Sequence, residues 1–134
     1  MSINDYQPNL IRFLSFRWAM KTFEKWGYKS PETTSLLKKV RDKVHSIIPD
    51  ADIILYGSRA RAKADWESDW DFLILLDQKP DRQVMAELRD RLYELELESD
   101  TVLSTIVRSR DEWNSELYSI LPFKEIVERD GVIL

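Results

Sequence analysis

Two aspartates, Asp69 and Asp71, flank a single tryptophan at the mouth of an apolar run, Trp70 to Leu76. Side chains alternate across a strand, so at this spacing both carboxylates face one side. Two partly buried carboxylates a few ångströms apart repel, and keeping both charged is costly unless a cation sits between them. Mg²⁺ suits such a pair, because it takes oxygen ligands and keeps waters and substrate phosphates as the others. Twelve residues before Asp69 stands Gly57, followed by Ser58. This pair leaves the end of another apolar run, Ala51 to Tyr56, and enters a predicted helical turn over residues 58–63. Glycine lets the backbone come close to a ligand. A helix N-terminus presents free N–H groups to an anion, and Ser58 adds a hydroxyl. Arg59, Arg61 and Lys63 follow with positive charge. Together these residues read as a cradle for a triphosphate, with metal-binding aspartates on the neighbouring strand.

Other chemistries are excluded by composition. The chain has no cysteine, so disulfides, thiolate metal sites and a cysteine nucleophile are absent. Its one histidine, His45, cannot build a histidine metal cluster or a Ser-His-Asp triad. Acid–base and metal work must rest on carboxylates, lysines and hydroxyls. No apolar run approaches the roughly 20 residues that span a bilayer, and the N-terminal stretch lacks a signal-peptide pattern. A cytoplasmic protein without membrane contact is expected. Residues 1–50 hold nine Lys/Arg and five Asp/Glu, whereas the remainder holds eleven and nineteen. This acidic balance argues against direct nucleic-acid binding.

The elements that must position the site follow from periodicity. At 134 residues and 43% hydrophobic, the chain carries one packed domain. A first helix is predicted over residues 9–26, apolar on more than one face and stopped by Gly27. A second runs from about Pro31 or Thr33 to Ile48 on a stripe of Leu36, Leu37, Val40, Val44, Ile47 and Ile48. His45 lies off that stripe. Ala51–Tyr56 and Trp70–Leu76 read as buried strands. A third helix is predicted from Arg82 to Glu96 on Val84, Leu88, Leu92 and Leu95. Thr101–Val107 reads as a third strand, and Ser109 to Glu112 as a capping box opening a helix with Trp113, Leu117 and Leu121 on one side. Pro122 opens a last helix that ends at Gly131, before an apolar tail, Val132–Leu134. The expected fold is α+β, or mixed α/β: a small mixed sheet flanked by helices. The expected division is an N-terminal helical extension over 1–30 and a catalytic domain over 31–134.

The stretch Gly57-Ser58-Arg59-Ala60-Arg61 through Ser68-Asp69-Trp70-Asp71-Phe72 resembles the signature of the minimal nucleotidyltransferases of the antitoxin type. These belong to the DNA polymerase β superfamily, with kanamycin nucleotidyltransferase. Leu121-Pro122-Phe123-Lys124-Glu125-Ile126, with Glu128 and Gly131, is similar to the family's C-terminal end, so the likeness covers about residues 33–134. The resemblance implies a nucleotidyltransferase fold. It implies Asp69 and Asp71 as ligands to Mg²⁺, two ions with nucleotide bound, and Gly57, Ser58, Arg59, Arg61 and Lys63 on the nucleotide. It implies transfer of a nucleoside monophosphate, AMP from ATP, to a hydroxyl. Small members often pair with a helical HEPN ribonuclease toxin, so such a toxin is the expected acceptor.

The sequence departs from the pattern twice. Relatives often have glycine where Ala62 stands, and an alanine is tolerated there only at negative φ. The family's third carboxylate, a metal ligand and general base, is not obvious. Its mid-strand positions here are Val102 and Ser104. Asp100, at the strand's start, is the candidate, with Glu98 further back. Trp66 and Trp70 are candidates for stacking on a base, although Trp70 faces away from the aspartates and reads as core. The rival expectation is a non-catalytic module that acts by protein contact. The first helix adds a candidate surface for a homo-oligomer or a heteromer.

Overall fold

A computed structural model describes residues 20–134. Its elements are β1 (Lys21–Thr22), a 3₁₀ turn (Phe23–Lys25), α1 (Pro31–Ile47), β2 (Asp52–Tyr56), α2 (Gly57–Ala60) and β3 (Trp70–Leu76). Then follow α3 (Arg82–Ser99), β4 (Leu103–Ser109), α4 (Arg110–Trp113), α5 (Glu116–Ser119), α6 (Pro122–Asp130) and β5 (Val132–Ile133). The five strands form one mixed sheet in the order β1-β5-β2-β3-β4. The outer pairs β1–β5 and β3–β4 are parallel, and β2 is antiparallel to both β3 and β5.

Two apolar layers sandwich this sheet. On one face Ile53, Leu55, Phe72 and Ile74 pack with Leu36, Leu37, Val40 and Val44 of α1 and Leu88, Leu92 and Leu95 of α3. On the other, Ile54, Leu73 and Leu75 pack with Trp113, Val127 and Met20. Removing a side chain of this size from water is worth about 1.5–3 kcal/mol. Both long helices have side-chain caps. Ser30 Oγ accepts from the Thr33 N–H at 3.1 Å, with Pro31 in the first turn. Asp81 Oδ1 accepts from the Val84 N–H at 2.8 Å.

Helix 9–26 is not found where it can be checked. Residues 9–19 lie outside the described residues, and Lys21–Thr22 is a strand in register with Val132–Ile133. Backbone pairing with β5 and burial of Phe23 and Trp26 outweigh the helical spacing. Met20, Phe23 and Trp26 join the same two clusters as the rest. The tail Val132–Leu134 also belongs to the sheet. It lies between β1 and β2, and the Leu134 N–H reaches the Ile53 carbonyl at 3.0 Å.

Two boundaries shift for local reasons. The third strand begins at Leu103 rather than Thr101, because Asp100 caps α3 in the left-handed region and the Thr101 N–H still reaches back to the Glu96 carbonyl. The Glu96 carboxylate then accepts from the Leu103 N–H at 2.7 Å. The helix expected after Ser109 is two single turns. Ser109 caps the first as predicted, but Ser115 caps a second, so Leu117 and Leu121 stay exposed while Trp113 is buried. Arg110 closes the far end of the sheet. Its guanidinium holds the Asp52 carboxylate at 3.1 and 3.2 Å and also bonds Asp77.

Candidate functional site

Every residue of β3 is buried except one. Trp70, Phe72, Leu73, Ile74, Leu75 and Leu76 are covered by helices on one face or the other, and only Asp71 is half-exposed. The uncovered place in β3 is therefore the aspartate. Register sets its neighbours: Asp71 pairs with Tyr56 on β2 and with Ser104 on β4. Paired residues on adjacent strands point to the same face, so Tyr56, Asp71 and Ser104 form a row across the sheet. Asp69 stands two residues earlier and exposed, beside the mouth of β4, where the Trp70 N–H bonds the Val102 carbonyl at 2.9 Å.

The two aspartates interact. Burial, and then the Asp69 charge, push the Asp71 carboxyl above its ordinary value. Burial, and then Asp71, push the Tyr56 phenol upward as well. Tyr56 meets Phe123 of α6 edge to face at 5.3 Å between ring centres. It sits beside the aspartate, and sequence reading passed over it. The alternation along Ala51–Tyr56 could have placed it on a face, but only the pairing of β2 with β3 sets it next to Asp71.

Gly57 is required here twice over. Its φ is +78°, which side chains rarely adopt, and a Cβ at this position would lie 2.6 Å from Asp71 Oδ2. The glycine thus lets the turn after β2 close onto the metal-type carboxylate. Ser58 follows in α2, a single turn whose first N–H groups have no partner within the helix. The buried Trp26 indole supports that turn, donating to the Ala60 carbonyl at 3.0 Å. Ala62 fails the condition set for it. Its φ is +55°, in the region that favours glycine.

The three cations have different surroundings. Arg59 is engaged with its own loop: it donates to the Ser68 carbonyl at 2.9 and 3.2 Å and to the Trp66 carbonyl at 3.3 Å. Its guanidinium also stacks 4.6 Å above the Trp70 ring. Arg59 therefore pins residues 66–68 and, through them, Asp69. Arg61 pairs with Asp130 of α6 at 3.3 Å. Hydrogen bonds from Arg129 first, and then Arg61, hold that carboxyl below its ordinary value. Lys63 is exposed and makes no ion pair among the described residues. It is the one of the three whose charge is not already engaged there. Trp70 is core, as expected, whereas Trp66 is 84% exposed.

The structure does not bring Asp100 to the pair. Asp100 is exposed, occupies the left-handed cap of α3, and precedes by four residues the strand position beside Asp71. Among the described residues no three carboxylates or histidines converge as a metal-binding group. A set of three carboxylates for two ions is not present among the described residues.

A glycine-serine turn closing on an Asp-x-Asp strand, over a mixed sheet, defines a nucleotidyltransferase-type site. The family model described as "Nucleotidyltransferase domain" matches residues 37–133, well over half of the chain, and the protein belongs to that family. The match spans Gly57, Ser58 and both aspartates. No curated protein matches the chain significantly.

Proposed function

We propose that this protein transfers AMP from ATP to a hydroxyl group, with Mg²⁺ at Asp69 and Asp71. The observation that carries the reading is the close approach of Gly57 to the Asp71 carboxylate. In this reading a phosphate-binding turn lies against a metal-binding strand with no side chain between. In this reading the Ser58 hydroxyl and the first N–H groups of α2 donate to the triphosphate, and Lys63 adds positive charge from the loop. Arg59 orients Asp69 through the Ser68 and Trp66 carbonyls. The bound ion would supply charge neutralisation for the phosphates of the nucleotide. The acceptor hydroxyl loses its proton to a base on the acceptor side, its oxygen bonds to the α-phosphorus, the bond to the bridging oxygen breaks, and pyrophosphate departs with that electron pair.

The acceptor in this reading is a cytoplasmic protein of the HEPN toxin type, which the family resemblance implies. Leu117 of α5, Ile126 of α6, and Ile120 and Leu121 between them are exposed, and these elements cover the same face of the sheet as Asp71. An exposed apolar surface of this kind marks protein contact. The test is transfer of label from α-³²P nucleoside triphosphates to the product of the neighbouring gene, with Asp69→Asn and Asp71→Asn as controls. Label on that product that both variants abolish is expected. No transfer from any of the four triphosphates would overturn the enzymatic reading. A second reading, a nucleotide-binding module that acts by contact, draws on the absence of a third carboxylate beside the pair among the described residues; retained nucleotide binding without transfer would favour it.

A further inference from the structure

The row across the sheet has an odd member. Tyr56, Asp71 and Ser104 are in register on three adjacent strands. Two-ion phosphoryl chemistry holds its metals about 3.5–4 Å apart, and a second ion beside the first calls for a further oxygen ligand with charge. Asp69 stands two residues before Asp71 at the entry of the same strand. The places beside Asp71 on the neighbouring strands belong to Tyr56 and Ser104.

The rest of β4 does not make up the loss. Val102 and Ile106 share the face of Ser104; Val102 is 55% exposed and Ile106 packs into the apolar cluster. Among the described residues no third carboxylate or histidine joins the pair, and three carboxylates of the elements that cover this face are engaged elsewhere. Glu112 accepts from Tyr118 and lies 3.5 Å from Arg108, Glu128 lies 3.8 Å from Lys124, and Asp130 bonds Arg61 and Arg129. A serine hydroxyl is neutral at physiological pH and is a weak metal ligand beside a carboxylate.

We propose that Ser104 replaces the third carboxylate and that this chain, with nucleotide bound, holds one divalent ion rather than two. The inference rests on the nucleotidyltransferase reading and refines it. The ion on Asp69 and Asp71 belongs to the triphosphate. The acceptor side of the site has no ion of its own, and the group that receives the acceptor's proton must come from the acceptor or its carrier. A protein acceptor that brings a carboxylate to the Ser104 side of Asp71 completes the site. Transfer to small alcohols or water is then slow, which protects ATP from waste when no acceptor is docked.

The experiment counts ions. Mn²⁺ is titrated into the protein saturated with α,β-methylene triphosphate analogues of the four nucleosides, and bound ion is read by electron paramagnetic resonance. The wild-type chain is expected to hold one Mn²⁺ per bound nucleotide, Ser104→Asp two, and the uncharged Ser104→Asn one. Two ions in the wild-type chain overturn the proposal. So does a single ion in a Ser104→Asp variant that folds and keeps its nucleotide. Should that variant not fold, the wild-type count still decides. Failure to retain any of the four analogues with Mn²⁺ is a different result: it removes the nucleotidyltransferase reading itself, and this inference with it.

Discussion

Ala62 offers a measurement in which backbone strain is nearly isolated. Its φ of +55° places it in the left-handed region, which costs an L-residue with a Cβ about 1–2 kcal/mol. Its side chain is a single exposed methyl at the end of the turn that begins with Gly57, so its loss removes little packing. Ala62→Gly relieves the strain but widens the unfolded ensemble, which costs about 0.4–1 kcal/mol. The strain is the larger quantity, so the variant should be more stable by about 0.5–1 kcal/mol. For a domain of this size that is a rise in Tm of about 2–4 °C. Urea denaturation should show a higher midpoint with an unchanged slope, because the area exposed on unfolding is the same. Asp100 is an internal control. Its φ is +52°, but aspartate tolerates this region because its short polar side chain bonds locally. Asp100→Gly should therefore change stability by less than about 0.5 kcal/mol. A loss of stability in Ala62→Gly, or an equal gain in both variants, would refute the strain argument.

Two further outcomes are expected. Burial first, and then Asp69, raise the Asp71 pKa in the fold, so the folded state binds that proton more tightly than the unfolded chain. The contribution is present below the unfolded value and is lost as pH rises through the raised one. Asp71→Asn should accordingly raise the melting temperature of the metal-free protein at pH 7, flatten its fall with pH above the unfolded carboxyl value, and abolish stabilisation by Mg²⁺ with triphosphate; a lowered melting temperature would contradict the linkage. Arg59→Ala loses the bonds to the Ser68 and Trp66 carbonyls and the stack on Trp70, costing about 1–2 kcal/mol. Limited proteolysis should then nick residues 61–69 faster, with Arg59→Lys only partly restoring protection, since an ammonium cannot replace the planar fork; unchanged nicking in Arg59→Ala would remove its positioning role.

Much of the site was legible because its constraints are short in sequence. Gly57-Ser58 and Asp69-x-Asp71 each lie within one turn or one strand entry, where chain geometry alone decides which groups share a face. The four long elements from Pro31 to Ser99 were legible for the same reason: burial imprints a local period on each. What the residues by themselves did not determine is everything set by pairing between distant segments. Lys21–Thr22 reads as helix and Val132–Ile133 as a loose tail until each supplies the other's hydrogen bonds as neighbouring strands. Arg59 looks like a phosphate ligand until the loop carbonyls of Trp66 and Ser68 close around it. Asp100 stays a candidate third ligand until the helix cap spends it and the register of β3 with β4 sets Ser104 beside Asp71. A carboxylate's identity is written in the chain, but which side chains surround it depends on strand register, a long-range property that a single residue's slip would reverse.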